Sequence, residues 1–225
     1  MVQSGKIEEH RQCILCIETS SELCHLILCD ICGLILGSIS LRRIRFSSDT
    51  LVHEIEHLFK VCGISVSELV TAAVSSGPGS YTGIKVGVSS VIGICQALGI
   101  KMIVFNILES LANFARSLLN INDVTYCSII YIQGKTYCDL KNIDEKDITL
   151  NSINDKNLES VLKRRKAIVI QCHGCNIPEK IIENENVKIL KNIKISSQMI
   201  VDTIIELYKK KDFTDLENIN ILYKD

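Results

Sequence analysis

The sequence predicts an α/β protein of two lobes, each a mixed β-sheet flanked by helices. The first half reads as strands and helices in the order β-β-β-α-β-α-β-α, and the second half repeats that order more weakly. Composition agrees. Apolar residues make up 47% of the 225 and charged residues 23%, as in a chain with a real core, while aromatics (5%) are so few that the packing must be aliphatic.

Cys13 to Glu18 reads as a strand and residues 23–29 as a second, joined by Thr19-Ser20-Ser21-Glu22. Cys32-Gly33 turns the chain into residues 34–39, so three consecutive strands form an antiparallel meander. Leu51, Val52, Ile55, Leu58, Phe59 and Cys62 then fall on one helical stripe, and Gly63 suits the position just past its end. A buried strand at 71–74 leads into Ser75-Ser76-Gly77-Pro78-Gly79-Ser80-Tyr81-Thr82-Gly83. The glycines there allow positive φ and close backbone approach, Pro78 presets the turn, and Ser80 or Thr82 can cap the helix that follows. That helix runs to Leu98; a strand at 101–105 and a helix at 106–119 come next. In the second half, a hairpin (125–131 and 135–140) turns at Gln133-Gly134, and a polar stretch covers 141–165. A short strand at 167–170 and a closing helix at 196–211 complete the pattern. The divisions are an N-terminal extension (1–12), an N-terminal lobe (13–105) and a C-terminal lobe (106–225) that includes the closing helix and tail.

Bulk properties exclude several classes. A net charge of −1 sets up no field for recruiting nucleic acid, and Lys163-Arg164-Arg165-Lys166 reads as a solvated helix end. The charged N-terminus with Glu18 close behind is not a signal peptide. The uncharged run at 86–100 is 15 residues long, short of the roughly 20 that span a bilayer. Eleven cysteines are an odd number and several sit in apolar runs, as small hydrophobes in a reducing compartment do. A soluble, cytoplasmic protein without membrane partners is expected.

Some motifs tempt. His53-Glu54-Ile55-Glu56-His57 fits the H-E-x-x-H zinc-peptidase pattern, but both histidines lie opposite the apolar stripe and no third ligand follows. Cys13-x-x-Cys16 and Cys29-x-x-Cys32 have ribbon-like spacing, yet residues three apart in a strand face opposite ways. Cys172-His173-Gly174-Cys175 sits in a loop as a weak redox or metal candidate. No metal site is assigned. Gly77-x-Gly79-x-x-x-Gly83 misses the dinucleotide fingerprint by one residue, although the corner could still hold a phosphate. The helix behind it is unusual: Gly87, Ser90, Gly93 and Ala97 form a small-residue stripe, and valines and isoleucines cover most of the remainder. A helix apolar nearly all round needs cover on two sides. Its own sheet supplies one; the second lobe or another protein must supply the other.

Three segments together resemble the TsaB (YeaZ) family: Ile14-Leu15-Cys16-Ile17-Glu18-Thr19-Ser20-Ser21, then Ser76 through Gly87, then Gln96-Ala97-Leu98-Gly99. The closing Asn220-Ile221-Leu222-Tyr223-Lys224-Asp225 is similar to that family's tyrosine motif. The likeness is strong over 13–119 and thin over 120–220. It implies the actin-like, Hsp70-ATPase (ASKHA) fold and a non-catalytic scaffold role in making threonylcarbamoyladenosine on tRNA. The implied partners are a TsaD-like catalytic subunit, a TsaE-like ATPase and, through the complex, tRNA, with self-association when the chain is alone. The sister TsaD carries an N-H-x-x-[GA]-H segment whose histidines hold a metal. Here Ile107 and Leu111 stand at those places, and aliphatic side chains cannot ligate. Three features depart from the family pattern: Ser47, Ser48 and His53 replace its usual residues near the first helix, the D-A-R segment is missing, and the N-terminal extension is extra.

The expected docking face comprises Leu51, Ile55, Leu58 and Phe59 of one helix with Gly83, Val86, Gly87, Ser90, Gly93, Ile94 and Ala97 of the next. Leucine at Gly87 or Gly93 is expected to weaken docking and leave the lobe folded. The rival expectation is an ATP-dependent transferase or kinase acting alone. In it Glu18, Thr19 and Ser20 approach the phosphates, and Gly77, Gly79 and Ser80 face them across a cleft. ATP or ADP with Mg at the partner interface is the cofactor expectation in the scaffold case. A zinc peptidase at His53 and His57 is the remote third.

Overall fold

The computed structural model describes residues 11–42, 48–132, 135–141, 148–150, 155–163, 165–172 and 175–215. The first sheet is built from β1 (Cys13–Glu18), β2 (Leu23–Asp30), β3 (Ile35–Arg42), β4 (Leu69–Ser75) and β5 (Lys101–Phe105), in the order β3-β2-β1-β4-β5. β1 runs antiparallel to β2 and parallel to β4, and all six of its residues are buried. That explains its unbroken apolar run, since a central strand is covered on both faces. Leu15 and Ile17 point toward α1 (Ser48–Cys62) and α2 (Tyr81–Leu98), and Ile14 and Cys16 point to the other face.

The second sheet repeats the plan with β6 (Thr125–Ile132), β7 (Lys135–Lys141), β8 (Ile148–Leu150), β9 (Ala167–Cys172) and β10 (Val187–Ile193). Its order, β10-β9-β6-β7-β8, is that of the first sheet read from the opposite edge. The helices α3 (Ile107–Leu119), α4 (Asp155–Leu162), α5 (Glu179–Ile182) and α6 (Ser197–Lys210) complete the chain. α3 and α6 each start at a polar cap, Asn106 accepting from Leu108 N–H and Ser196 from Met199 N–H.

The last helix of each half crosses to the other sheet. Leu108, Leu111, Ala112 and Ala115 of α3 join Tyr126 and Ile168 in the second core, whereas Ile200, Val201, Ile204 and Ile205 of α6 pack on Ile14, Ile27 and Ile103 of the first. The closing helix, expected within the C-terminal lobe, therefore completes the N-terminal one. It is drawn there because the face of the first sheet opposite α1 and α2 is apolar too. Asn113 donates to Glu206 at 3.3 Å where the two helices meet. The polar stretch expected at 141–165 contains β8 and α4, and β10 was not foreseen. The turn at Gln133-Gly134, most of the N-terminal extension and the tail motif lie outside the described residues.

Ile204 is fully buried. Ile204→Ala is expected to cost about 2–5 kcal/mol, read as a lowered urea midpoint.

Candidate functional site

The corner between β4 and α2 rests directly on the β1–β2 turn. Parallel pairing of β1 with β4 places Ile17 opposite Val74, so the two strands end side by side. Ser80 N–H donates to Ser20 O at 2.8 Å, and Thr19 Oγ1 donates to Gly83 O at 2.7 Å. A Cβ at Gly79 would stand 2.1 Å from Ser20 O, one at Gly83 2.1 Å from Thr19 O, and one at Gly87 2.4 Å from Thr19 Oγ1. Ser80 caps α2, its Oγ accepting from Gly83 N–H at 3.3 Å. Gly77 carries φ +103°, which only glycine adopts readily.

The residues expected to face one another across a phosphate cleft are therefore in contact. The Glu18 carboxylate is fully buried and accepts from Ser20 N–H at 2.6 Å, Ser21 N–H at 3.1 Å and Ser21 Oγ at 2.5 Å, besides Ser20 Oγ. These are charge-assisted bonds, and they hold the turn closed. Gly77 N–H donates to Ser75 Oγ at 3.1 Å. Glu18 thus bonds to Ser20 and Ser21, Ser20 to Ser80, and Thr19 to Gly83, so the turn and the glycine corner pack as one piece, where the sequence suggested two walls. The reason is backbone proximity at three glycines, which removes the gap.

The expected docking stripe splits in two for the same reason. Gly83, Gly87, Ser90, Ile94 and Ala97 alternate at four- and three-residue spacing and share one side of α2. Its first two turns, at Gly83 and Gly87, are buried against Thr19, so Gly87→Leu would break the lobe and is no test of docking. Leu51 and Leu58 are likewise enclosed in the lobe core, at 0% and 2% exposure. Farther along, Ser90, Gly93, Ile94 and Ala97 face Ile55 and Phe59 across a groove of about 400 Å³. Gly93 has nothing within 4 Å of a Cβ position. Val86 is half-buried outside this groove. The sequence reading missed Val52, Glu56, Val66 and Leu98 as lining residues. Val52 had been placed on the core stripe, but it is 51% exposed. A stripe broader than its own core requires was the available signal.

One further buried polar group lies in the first lobe. His25 pairs with Glu18 across β1 and β2, and its Nδ1 lies 3.0 Å from Ser40 Oγ. Its Nε2 is buried without a hydrogen-bond partner. Burial lowers the imidazole pKa below its ordinary 6.5, against the opposing pull of Glu18. His53 and His57 stand exposed on α1. Among the described residues, no three His, Cys, Asp or Glu side chains gather to hold a metal ion. Burial pushes Cys172 up to about 12 and Cys175 to about 11, so both thiols stay protonated, unlike a reactive redox pair. α2 begins at Tyr81, earlier than the uncharged run suggested, and its 18 residues are long and apolar enough to cross a membrane by length and composition alone. A third of it is buried within the lobe.

A family model described as TsaD, tRNA N6-adenosine threonylcarbamoyltransferase, matches residues 37–138, slightly under half the chain. A solved Pseudomonas aeruginosa protein, described as similar to the peptidase YeaZ, superposes with TM-score 0.69 at 15% identity, covering 94% of this chain and 99% of its own. YeaZ from Pseudomonas aeruginosa gives 0.66 at 14% identity, over 95% and 100%. The chain shares the fold of these two structures over nearly its whole length. A Bacteroides thetaiotaomicron protein with an actin-like ATPase fold and unknown function gives 0.51 at 9% identity, over 90% and 99%. The actin-like fold expected from the resemblance is the fold observed. No curated protein sequence matches the chain.

In this chain, Gly79→Ala and Gly83→Ala are expected to lower stability by more than about 2 kcal/mol, because backbone atoms occupy the Cβ positions. Gly93→Ala should be neutral or stabilising by up to about 1 kcal/mol through helix propensity. Denaturant midpoints of the three variants check both. A second expectation concerns acid. The unfolded chain takes a proton on His25 near pH 6.5, whereas the folded chain resists until lower pH. The stability contribution is therefore complete above about pH 6.5 and declines as pH falls toward the lower folded-state value. His25→Gln should flatten the pH 5–8 profile of the unfolding midpoint relative to the parent.

Proposed function

We propose that this chain is a non-catalytic docking subunit that partners a TsaD-like transferase in threonylcarbamoyl modification of tRNA in the cytoplasm. The observation that carries this is the apolar groove between α1 and α2, left uncovered among the described residues. Its walls at Val52 and Leu98 are 51% and 40% exposed, and contiguous apolar surface of this kind is covered by another protein more often than by water. Residues 37–138, where the TsaD model matches, include both groove helices.

Chemistry argues in the same direction. Ile107 and Leu111 are both fully buried aliphatic side chains in the core, at positions where the sister enzyme carries metal-binding histidines. The polar groups at the β1–β2 turn bond to each other, so ATP or ADP with Mg belongs, on this reading, to the partner's side of the assembly. A TsaE-like ATPase and tRNA join through the complex, and without its partner the chain self-associates by the same groove.

Calorimetric titration with a TsaD-like protein tests this. Ile94→Asp or Gly93→Arg should weaken binding at least tenfold, about 1.4 kcal/mol or more, with circular dichroism unchanged. Full-strength binding by both variants would remove the groove from the interface. ATP hydrolysis by the isolated chain with magnesium would favour an enzyme acting alone.

A further inference from the structure

The net charge of −1 conceals a segregation of charge along the chain. Residues 161–194 hold eight lysines and arginines against three glutamates, a local +5, so the remaining residues together carry −6. Asymmetry of this kind creates a local field for an anionic partner that the total does not reveal.

The fold gathers these cations on one side of the second sheet. β10 is an edge strand, and Lys188 and Lys191 on it and Lys194 just past its end are all exposed. At about 3.3 Å per residue the three span about 20 Å. Parallel pairing sets Val187 beside Ala167, and Ala167 N–H donates to Asn186 O at 3.0 Å, so Lys166 lies next to the start of β10. Asn184 Nδ2 donates to Leu162 O at 3.5 Å, which brings in Lys163 at the end of α4. Lys163 and Lys166 are exposed and Arg165 is half-buried. Glu179, Glu183 and Glu185 lie on α5 and in the turn that precedes β10, and the strand itself carries no acid.

Lysines on an edge strand also discourage strand addition. That need alone does not account for them. The opposite edge of the same sheet, β8, reads Ile-Thr-Leu without a charge. The edges of the first sheet, β3 and β5, carry one cation each, Arg42 and Lys101. Lys163, Arg165 and Lys166 lie off the strand, where they guard no edge. Residues 161–194 contain no aromatic on which a base could stack, so the chemistry on offer is phosphate contact. A lipid-binding surface would join its lysines to an exposed apolar face, whereas the apolar residues of β10 are buried or half-buried.

We propose that Lys188, Lys191 and Lys194, with Lys163, Arg165 and Lys166 beside them, bind the phosphate backbone of RNA without reading its sequence. Phosphate contact follows from the charge and its placement. That the RNA is tRNA rests on the role proposed above.

The test follows the fluorescence anisotropy of end-labelled, unfractionated tRNA with the full chain between about 50 and 200 mM sodium chloride. Log affinity should fall with log salt at a slope of about −3 to −4, at about 0.7 per phosphate contacted. K188E/K191E/K194E should weaken binding at least about tenfold and make the slope shallower by about 2. K163E/K166E should weaken it at least about threefold. K60E/K101E/K209E, which changes the net charge equally at exposed lysines elsewhere, should stay within about twofold of the parent. Equal losses in the two triple variants would overturn the proposal, as would parent binding that ignores salt. Tighter binding to phosphatidylserine vesicles or to polyglutamate than to tRNA would overturn it in favour of a membrane or an acidic protein. Calorimetric titration with the TsaD-like protein separates the two readings, because the groove belongs to the first lobe. Loss of tRNA binding by K188E/K191E/K194E with docking at full strength would uphold this surface. Unchanged tRNA binding by that variant would overturn it and leave the docking role standing. Salt-dependent tRNA binding through these lysines by a chain that the TsaD-like protein never engages would uphold the phosphate contact and sink the docking role.

Discussion

The contact on which the remaining architecture depends is the backbone approach of Thr19 and Ser20 to Gly79, Gly83 and Gly87. No side chain larger than hydrogen fits at any of the three without displacing main-chain or Thr19 atoms. Hydrogen bonds from Ser80 N–H to Ser20 O and from Thr19 Oγ1 to Gly83 O lock the approach from both sides. Together they set how α2 is rotated over the sheet. Once Gly83 and Gly87 face the turn, periodicity requires Ser90, Ile94 and Ala97 to share their side of the helix. The turn ends after two helical turns, so those later residues face α1 across a groove that Leu15, Val66 and Leu69 also line. The groove is the geometric remainder of a contact made elsewhere on the same helix.

The polar groups around that contact act as structure. A buried carboxylate without a cation is tolerable only when its lone pairs are filled. Glu18 meets that condition with two backbone N–H groups and two hydroxyls from Ser20 and Ser21. His25 next to it is kept neutral by burial, which avoids a second charge in the same place. The β1–β2 turn is packed against the chain's own glycine corner, through Ser20 O at Gly79 and Thr19 O at Gly83.

Legibility in the sequence followed covering. β1 and β2, buried over nearly all their length, show as apolar runs, and α2 shows through its caps, Ser80 and the left-handed Gly99. β10 was invisible for the opposite reason. It lies at a sheet edge, alternates Val187, Ile189 and Leu190 with Lys188 and Lys191, and shifts register near Asn192, whose φ is +59°. Charges on an edge strand discourage pairing with other chains, and they erase the period-two signal as well. α5, with four residues, is too short to carry a helical period. At the candidate site, the residue types of the corner were readable but their mutual distance was not. Whether Gly79 stands across a cleft from Ser20 or against it depends on how two strands end, and only the pairing of β1 with β4 decides that.

The duplication sharpens where function resides. Both halves share one strand order and exchange their last helices, so by topology either lobe could have carried a binding groove. They differ in the helices that would build it. The first lobe has α1 and α2, of 15 and 18 residues, and the second has α4 and α5, of 8 and 4. A helix of four residues makes barely one turn and cannot form a groove wall. The second lobe lends the first a closing helix, Ser197–Lys210, and takes α3 in return, and that exchange ties the two cores together. Its contribution is to hold the first sheet covered from behind, so that the apolar face in front is carried by a rigid support.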